Sequence, residues 1–148
     1  MFSESSCVNF KLMMTVKLLF DFGLFVLIWM TQLIVYPSFT HFDPSNLQKW
    51  HSLYTLRISI LVMPLMVGQL VIHIHQLTQD LSLISSIALI FILLAWGNTF
   101  LYAVPLHNQI ASGVDISIVA EKLVSVNAWR TWCWSFVFFI DVFLLLKK

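Results

Sequence analysis

The sequence predicts an all-α fold: one domain, a four-helix bundle integral to a membrane, with short amphipathic helices in the 1–2 and 3–4 linkers. Three observations carry this. The chain is 59% hydrophobic and 10% charged, with a mean hydropathy of +0.89. A soluble domain has about 45–50% apolar and about 25% charged residues. Four apolar runs each approach the roughly 20 residues that cross a hydrocarbon core. They are too long and uniform for the alternating strands of about 10 residues that build a membrane β-barrel.

The helices are expected at 16–36, 53–75, 83–104 and 126–146. Lys11 and Lys17 before the first run imitate a signal peptide. The run is long enough to span and no small-residue cleavage site follows it, so it is read as a retained helix. In "FDPSNLQKWHSLY", Asp43 is placed to cap a helix whose first residue is Pro44; this short helix leads toward helix 2. "HQLTQD" makes a tight hairpin between helices 2 and 3. In "GVDISIVAEKLVSV", Ile116, Val119, Ala120 and Leu123 recur at helical spacing behind Asp115, which predicts an interfacial amphipathic helix. Pro105 is expected to end helix 3. Each half of the chain has a helix ending near a proline, an amphipathic stretch, and a helix opening with an arginine (Arg57, Arg130). A duplicated hairpin is one explanation, and chance likeness of short helices is the other.

A net charge of +1 gives no basic footprint for nucleic acid. The expected partners are membrane lipids and a lipophilic small molecule; the oligomeric state is open. Cys7 and Cys133 form no CxxC and no expected disulfide. Lys11, Lys17, Lys147 and Lys148 lie on the side of both termini; Lys49, Arg57, Lys122 and Arg130 lie on the other. Setting aside Arg57 and Arg130, which sit inside helix ends, this places both termini in the cytoplasm of an inner or plasma membrane.

Alternating helices bring four ends to one membrane level, and these ends carry the polar residues. Helix 1 ends with Gln32 and Tyr36, and helix 2 opens with His51, Tyr54 and Arg57. Helix 3 ends with Asn98, Thr99 and Tyr102, followed by His107 and Asn108. Helix 4 opens with Asn127, Arg130 and Thr131. Unpaired polar groups are costly in lipid, so these side chains are expected to face a shared pocket. His51, Tyr54 and Arg57 follow one another in steps of three, and Asn98 and Tyr102 are four apart. His51, His107, Arg57 and Arg130 are the candidate catalytic residues. Tyr36, Tyr54, Asn98, Tyr102, Asn108, Asn127 and Thr131 are the candidate substrate contacts.

No cofactor is required by this set. The alternative is a copper or iron ion, or a haem, held by His51 and His107. No HExxH, glycine-rich phosphate loop or Ser–His–Asp arrangement is present. At the opposite end, Lys17 and Asp21 are read as an i,i+4 pair. Asp141 is paired with a terminal lysine, and His73 and His75 are interfacial.

"TFLYAVPLHNQIASG" followed by "VNAWRT" resembles small four-helix membrane proteins related to fungal anthrone oxygenases. Thr99, Val104, Pro105, Leu106 and Asn108 match the first part of that family's pattern, and Asn127, Arg130 and Thr131 the second. "TQLIVYPSF" resembles its first helix end. His107 stands where the family shows asparagine, and a tryptophan expected near Val124 is missing, as in a divergent branch. The resemblance implies oxidation of a lipophilic aromatic substrate by molecular oxygen without a cofactor. In that chemistry His51 or His107 is the base and Arg57 and Arg130 hold the oxyanion. Whether the chain is an enzyme stays open beside two alternatives, a non-enzymatic binder of lipid or small ligand (or a complex subunit) and a metal or haem protein.

Overall fold

The computed structural model describes residues 4–147, with side chains from Lys11 onward. Those residues form helices and no strands. Four continuous helical segments, Lys11–Phe39, Pro44–Gln79, Leu83–Ala111 and Ile116–Leu146, are long and apolar enough to cross a membrane. The first consists of α1 (Glu4–Met30), one widened turn at Thr31–Val35, and α2 (Tyr36–Phe39). The second is α3 (Pro44–Gln79). The third is α4 (Leu83–Asn98), a widened turn at Thr99–Ala103, and α5 (Val104–Ala111); α6 (Ile116–Leu146) is the fourth.

The helices run past most of their expected boundaries, and the early starts of α3 and α6 share one physical reason. The linker segments carry buried apolar residues in phase with the helices they adjoin, so they extend those helices. Leu47 is buried in the first turn of α3. Ile116, Val119, Ala120 and Leu123 are buried at the predicted spacing, but on α6 itself, which runs to Leu146 without a break. The hairpin between α3 and α4 is as short as predicted, and Ser82 caps α4 by accepting a hydrogen bond from the Ser85 amide. Asp43 and Asp115 hold the cap positions of α3 and α6, without a side-chain cap bond from either.

Pro105 does not end its helix. A proline lacks the amide hydrogen that would bond four residues back, and its ring clashes with that carbonyl. Here the preceding turn widens by one residue to accommodate it. The Val104 amide bonds to Thr99 O, five residues back. The same happens before Pro37, where the Tyr36 amide bonds to Thr31 O. Such π turns shift the register by one residue. On α1 the inward stripe runs Met14, Lys17, Asp21, Leu24, Ile28, Thr31, in steps of three and four, then jumps five to Tyr36 before Phe39. On α4 it runs Ser85, Ala88, Ile92, Ala95, then resumes at Ala103 and Ile110.

The bundle has two apolar cores stacked along its length. One, around Phe39, Leu47, Ile110, Ala120 and Leu123, closes the end where α2, α5 and the loops lie. The other, around Leu24, Ile28, Met66, Ala95, Cys133 and Trp134, fills the middle. The outward faces are equally greasy: Leu53, Leu56, Ile60, Leu61 and Val71 of α3 are exposed, while its His51, Gln69 and His73 are buried. Polar inside and apolar outside is the pattern a hydrocarbon solvent demands. Gly68 lets α1 approach α3, since a Cβ there would collide with the Phe20 ring.

Candidate functional site

A cavity of about 370 Å³ lies between the two cores. Leu24, Leu27 and Ile28 of α1 and Ile58, Val62 and Met66 of α3 make most of its wall apolar. Its polar wall is Tyr36, His51, Tyr54, Thr99, His107 and Arg130. The two π turns create that wall. Without them the inward stripe after Thr99 would continue through Tyr102 and Leu106; the extra residue brings His107 inward instead. The same shift brings Tyr36 inward below Thr31.

These side chains form one hydrogen-bonded run. Arg130 donates to Asn127 Oδ1, to Tyr36 Oη at 3.2 Å and to Thr99 Oγ1 at 3.3 Å. Asn127 is fixed in turn by donating to Gln32 Oε1 at 2.8 Å, and Thr131 lies beside it, bonded to the Asn127 carbonyl. Tyr36 Oη lies 2.9 Å from His107 Nε2, and His107 Nδ1 lies 2.8 Å from His51 Nε2. The run ends at His51 Nδ1, which is buried and has no partner. Arg130 already donates to the Tyr36 oxygen, so the phenol hydrogen is free to point at His107. Phe39 sets the angles of the rings, packing edge-on against both His51 and Tyr54.

The sequence-predicted residues divide. Tyr36, His51, Tyr54, His107, Asn108 and Arg130 line the cavity. Asn127 and Thr131 stand behind Arg130 and position it. Arg57, Tyr102 and Asn98 do not line it. Arg57 is exposed and lies in a shallow groove with Trp50, Leu53 and Leu61. Two steps of three trail a helix face by about 120°, so the His51 face does not extend to Arg57. Tyr102 is exposed because the π turn passes its inward place to Ala103. Asn98 is half-buried, and its Oδ1 has no partner.

Between His51 and His107 the facing nitrogens are at hydrogen-bond distance, 2.8 Å. Among the described residues no carboxylate or thiolate joins these two histidines in a set of three donors.

The opposite end of the bundle corrects three further expectations. Lys17 pairs with Asp141 of α6, Nζ to Oδ1 2.7 Å, and not with Asp21 one turn away. Asp141 therefore does not need a terminal lysine. His73 is buried, with Nε2 3.2 Å from Asp21 Oδ1, whereas His75 is exposed. Both pairs cross between helices because their side chains share the inward stripe, where the neighbouring helix is nearer than solvent.

No family model, no curated protein and no solved structure matches this chain. Cys133 is buried in the middle core as a free thiol, and Cys7 lies outside the described side chains.

Proposed function

We propose that the four helices cross the cell's inner or plasma membrane with both termini in the cytoplasm, and that the cavity takes a lipophilic hydroxylated aromatic molecule from the bilayer and oxidises it with molecular oxygen. The observation that carries this is the hydrogen-bonded run Arg130–Tyr36–His107–His51, all four of which line an apolar cavity. Such a wall offers a base for a substrate proton and a fixed cation for the oxyanion left behind. The cavity volume falls within the range of about 300–1,000 Å³ usual for small ligands. The likeness of "VPLHN" and "NAWRT" to anthrone oxygenases supports the substrate class.

The chemistry balances without a reductant. A ring CH2 group activated by neighbouring phenols loses a proton to the histidine pair, and its carbanion adds dioxygen. The resulting peroxide regains the proton, then loses water to leave a ketone. One oxygen atom ends in the carbonyl and the other in water. Arg130 and Tyr36 hold the phenolate oxygen; His51 and His107 carry the proton.

A second reading, a carrier for a lipophilic anion, is favoured by the rim. Ser59, Met63, Phe100 and Val104 line the cavity and are exposed on the bundle's flank, between α3 and the α4–α5 segment. Oxygen uptake by the purified protein with 1,8-dihydroxyanthrone decides between them. The oxidase yields one anthraquinone per O2 above the rate with heat-denatured protein in the same detergent. Binding without uptake assigns the carrier. Copper or iron that copurifies at one equivalent and is lost in His51→Ala replaces both with a metal-centred reaction.

A further inference from the structure

We propose that Asp21, His73 and Asp141 bind a divalent transition-metal ion of the zinc, manganese or iron(II) class, at the end of the bundle opposite the cavity. The three come from α1, α3 and α6, and each is no more than 2% exposed. One donor atom from each lies within 4.8 Å of the other two. His73 Nε2 is 3.2 Å from Asp21 Oδ1 and 3.5 Å from Asp141 Oδ2. Ligands bound tetrahedrally at about 2.0–2.2 Å are roughly 3.4 Å apart, so the hydrogen-bond separations of the metal-free cluster are also close to those of ligand edges around an ion.

The surrounding contacts hold one oxygen of each carboxylate and leave the other open. Gln69 Nε2 donates to Asp21 Oδ1 at 2.8 Å, and Gln69 is itself fixed by the Trp134 indole at 3.0 Å. Asp21 Oδ2 is buried with no partner. Lys17 holds Asp141 Oδ1, and Gln76 accepts a hydrogen bond from the same ammonium group. Asp141 Oδ2 lies 3.5 Å from His73 Nε2, with the Asp21 carboxyl beside it. Outer partners that orient ligand carboxylates in this way are characteristic of metal sites.

Charge allows the same reading. Two carboxyl groups face one ammonium in a place with almost no access to water, where an unbalanced negative charge is costly. Either a proton shared between the carboxyls or a divalent ion supplies the balance. An imidazole with only two carboxylates suits zinc, manganese or iron better than magnesium or calcium, which take all-oxygen sets. The site lies beyond the cavity floor: Asp21 is three residues from the cavity-lining Leu24 and Asp141 seven from Trp134, about 5 and 10 Å along their helix axes.

Cobalt(II) is the probe. Full-length protein in mild detergent, stripped with chelator and dialysed, is titrated with cobalt(II) and followed by visible absorbance. The expected result is one cobalt per chain, with the ligand-field bands of a four- or five-coordinate ion, displaced by zinc(II). Asp21→Asn and His73→Gln weaken binding at least tenfold; His75→Gln and His51→Ala leave it unchanged. A wild-type protein without these bands carries an ion-pair network only and overturns the proposal, whether or not the variants fold. Binding that is lost in His51→Ala and kept in Asp21→Asn overturns it as well.

Discussion

Arg130 and Arg57 look alike in the sequence, and only one faces the cavity. Counted from the capping aspartates, Arg57 is fourteen residues into its helix and Arg130 fifteen. One residue is about 100° of helix, which turns Arg57 outward. The inward place belongs to Ile58, which lines the cavity. The polar level of the bundle was therefore legible from composition and topology, whereas the facing of each residue needed the phase of its own helix. Arg57→Ala is expected to leave oxygen uptake unchanged. His107→Ala is expected to slow it by about 10²–10⁴, the usual contribution of a proton-transfer group. His107→Asn can hydrogen-bond but cannot carry the proton, so it should bind the aromatic probe and turn over as poorly as the alanine variant. Wild-type turnover by His107→Asn would remove proton transfer from this residue. Asn127→Leu takes an acceptor from a buried guanidinium and should lower stability by about 1.5–3 kcal/mol, read by thermal unfolding in detergent.

At the scale of elements, the spacing Thr31 to Pro37 and Thr99 to Pro105 was visible in the sequence, but its consequence was not. A proline can end a helix or widen the turn before it. Packing on the C-terminal side of each proline decides between the two. Phe39 and Ile110 are fully buried there, so burial of the continuing helix outweighs the cost of the wide turn. In both turns the threonine hydroxyl bonds back to a carbonyl four residues earlier, Leu27 O and Ala95 O, at 2.8 Å. Pro105→Ala restores the missing amide donor and allows an ordinary α turn, which would carry His107 about 100° away from His51. Loss of probe binding with unchanged helicity by circular dichroism is the expected outcome; unchanged binding would show that packing alone sets the register. Gly68→Val places a side chain against the Phe20 ring and should cost about 1–3 kcal/mol. Phe20→Ala in the same chain should recover part of that loss.

The whole molecule places two polar sites in an apolar bundle, a cavity with a hydrogen-bonded wall toward the α5–α6 loop and a buried polar cluster toward the termini. Four helices were legible because hydrocarbon-length runs are hard to imitate. The cluster's pairing was not, because Lys17, Asp21, His73 and Asp141 are distant in sequence and only the packing of α1, α3 and α6 joins them. Reporter fusions at Lys148 and within residues 112–115 should report opposite sides of the membrane; the same side would remove the four-span arrangement and with it the access of the cavity to lipid. Whether the cavity stabilises an aromatic oxyanion is read by titrating the protein with 1,8-dihydroxyanthraquinone, an unreactive relative of the proposed substrate class, and following visible absorbance. A saturable one-to-one complex with the red-shifted band of the phenolate is predicted for the wild type, and this band should be absent in Arg130→Gln and His51→Ala. An unshifted spectrum, or the same non-saturable partitioning in wild type and variants, would contradict it.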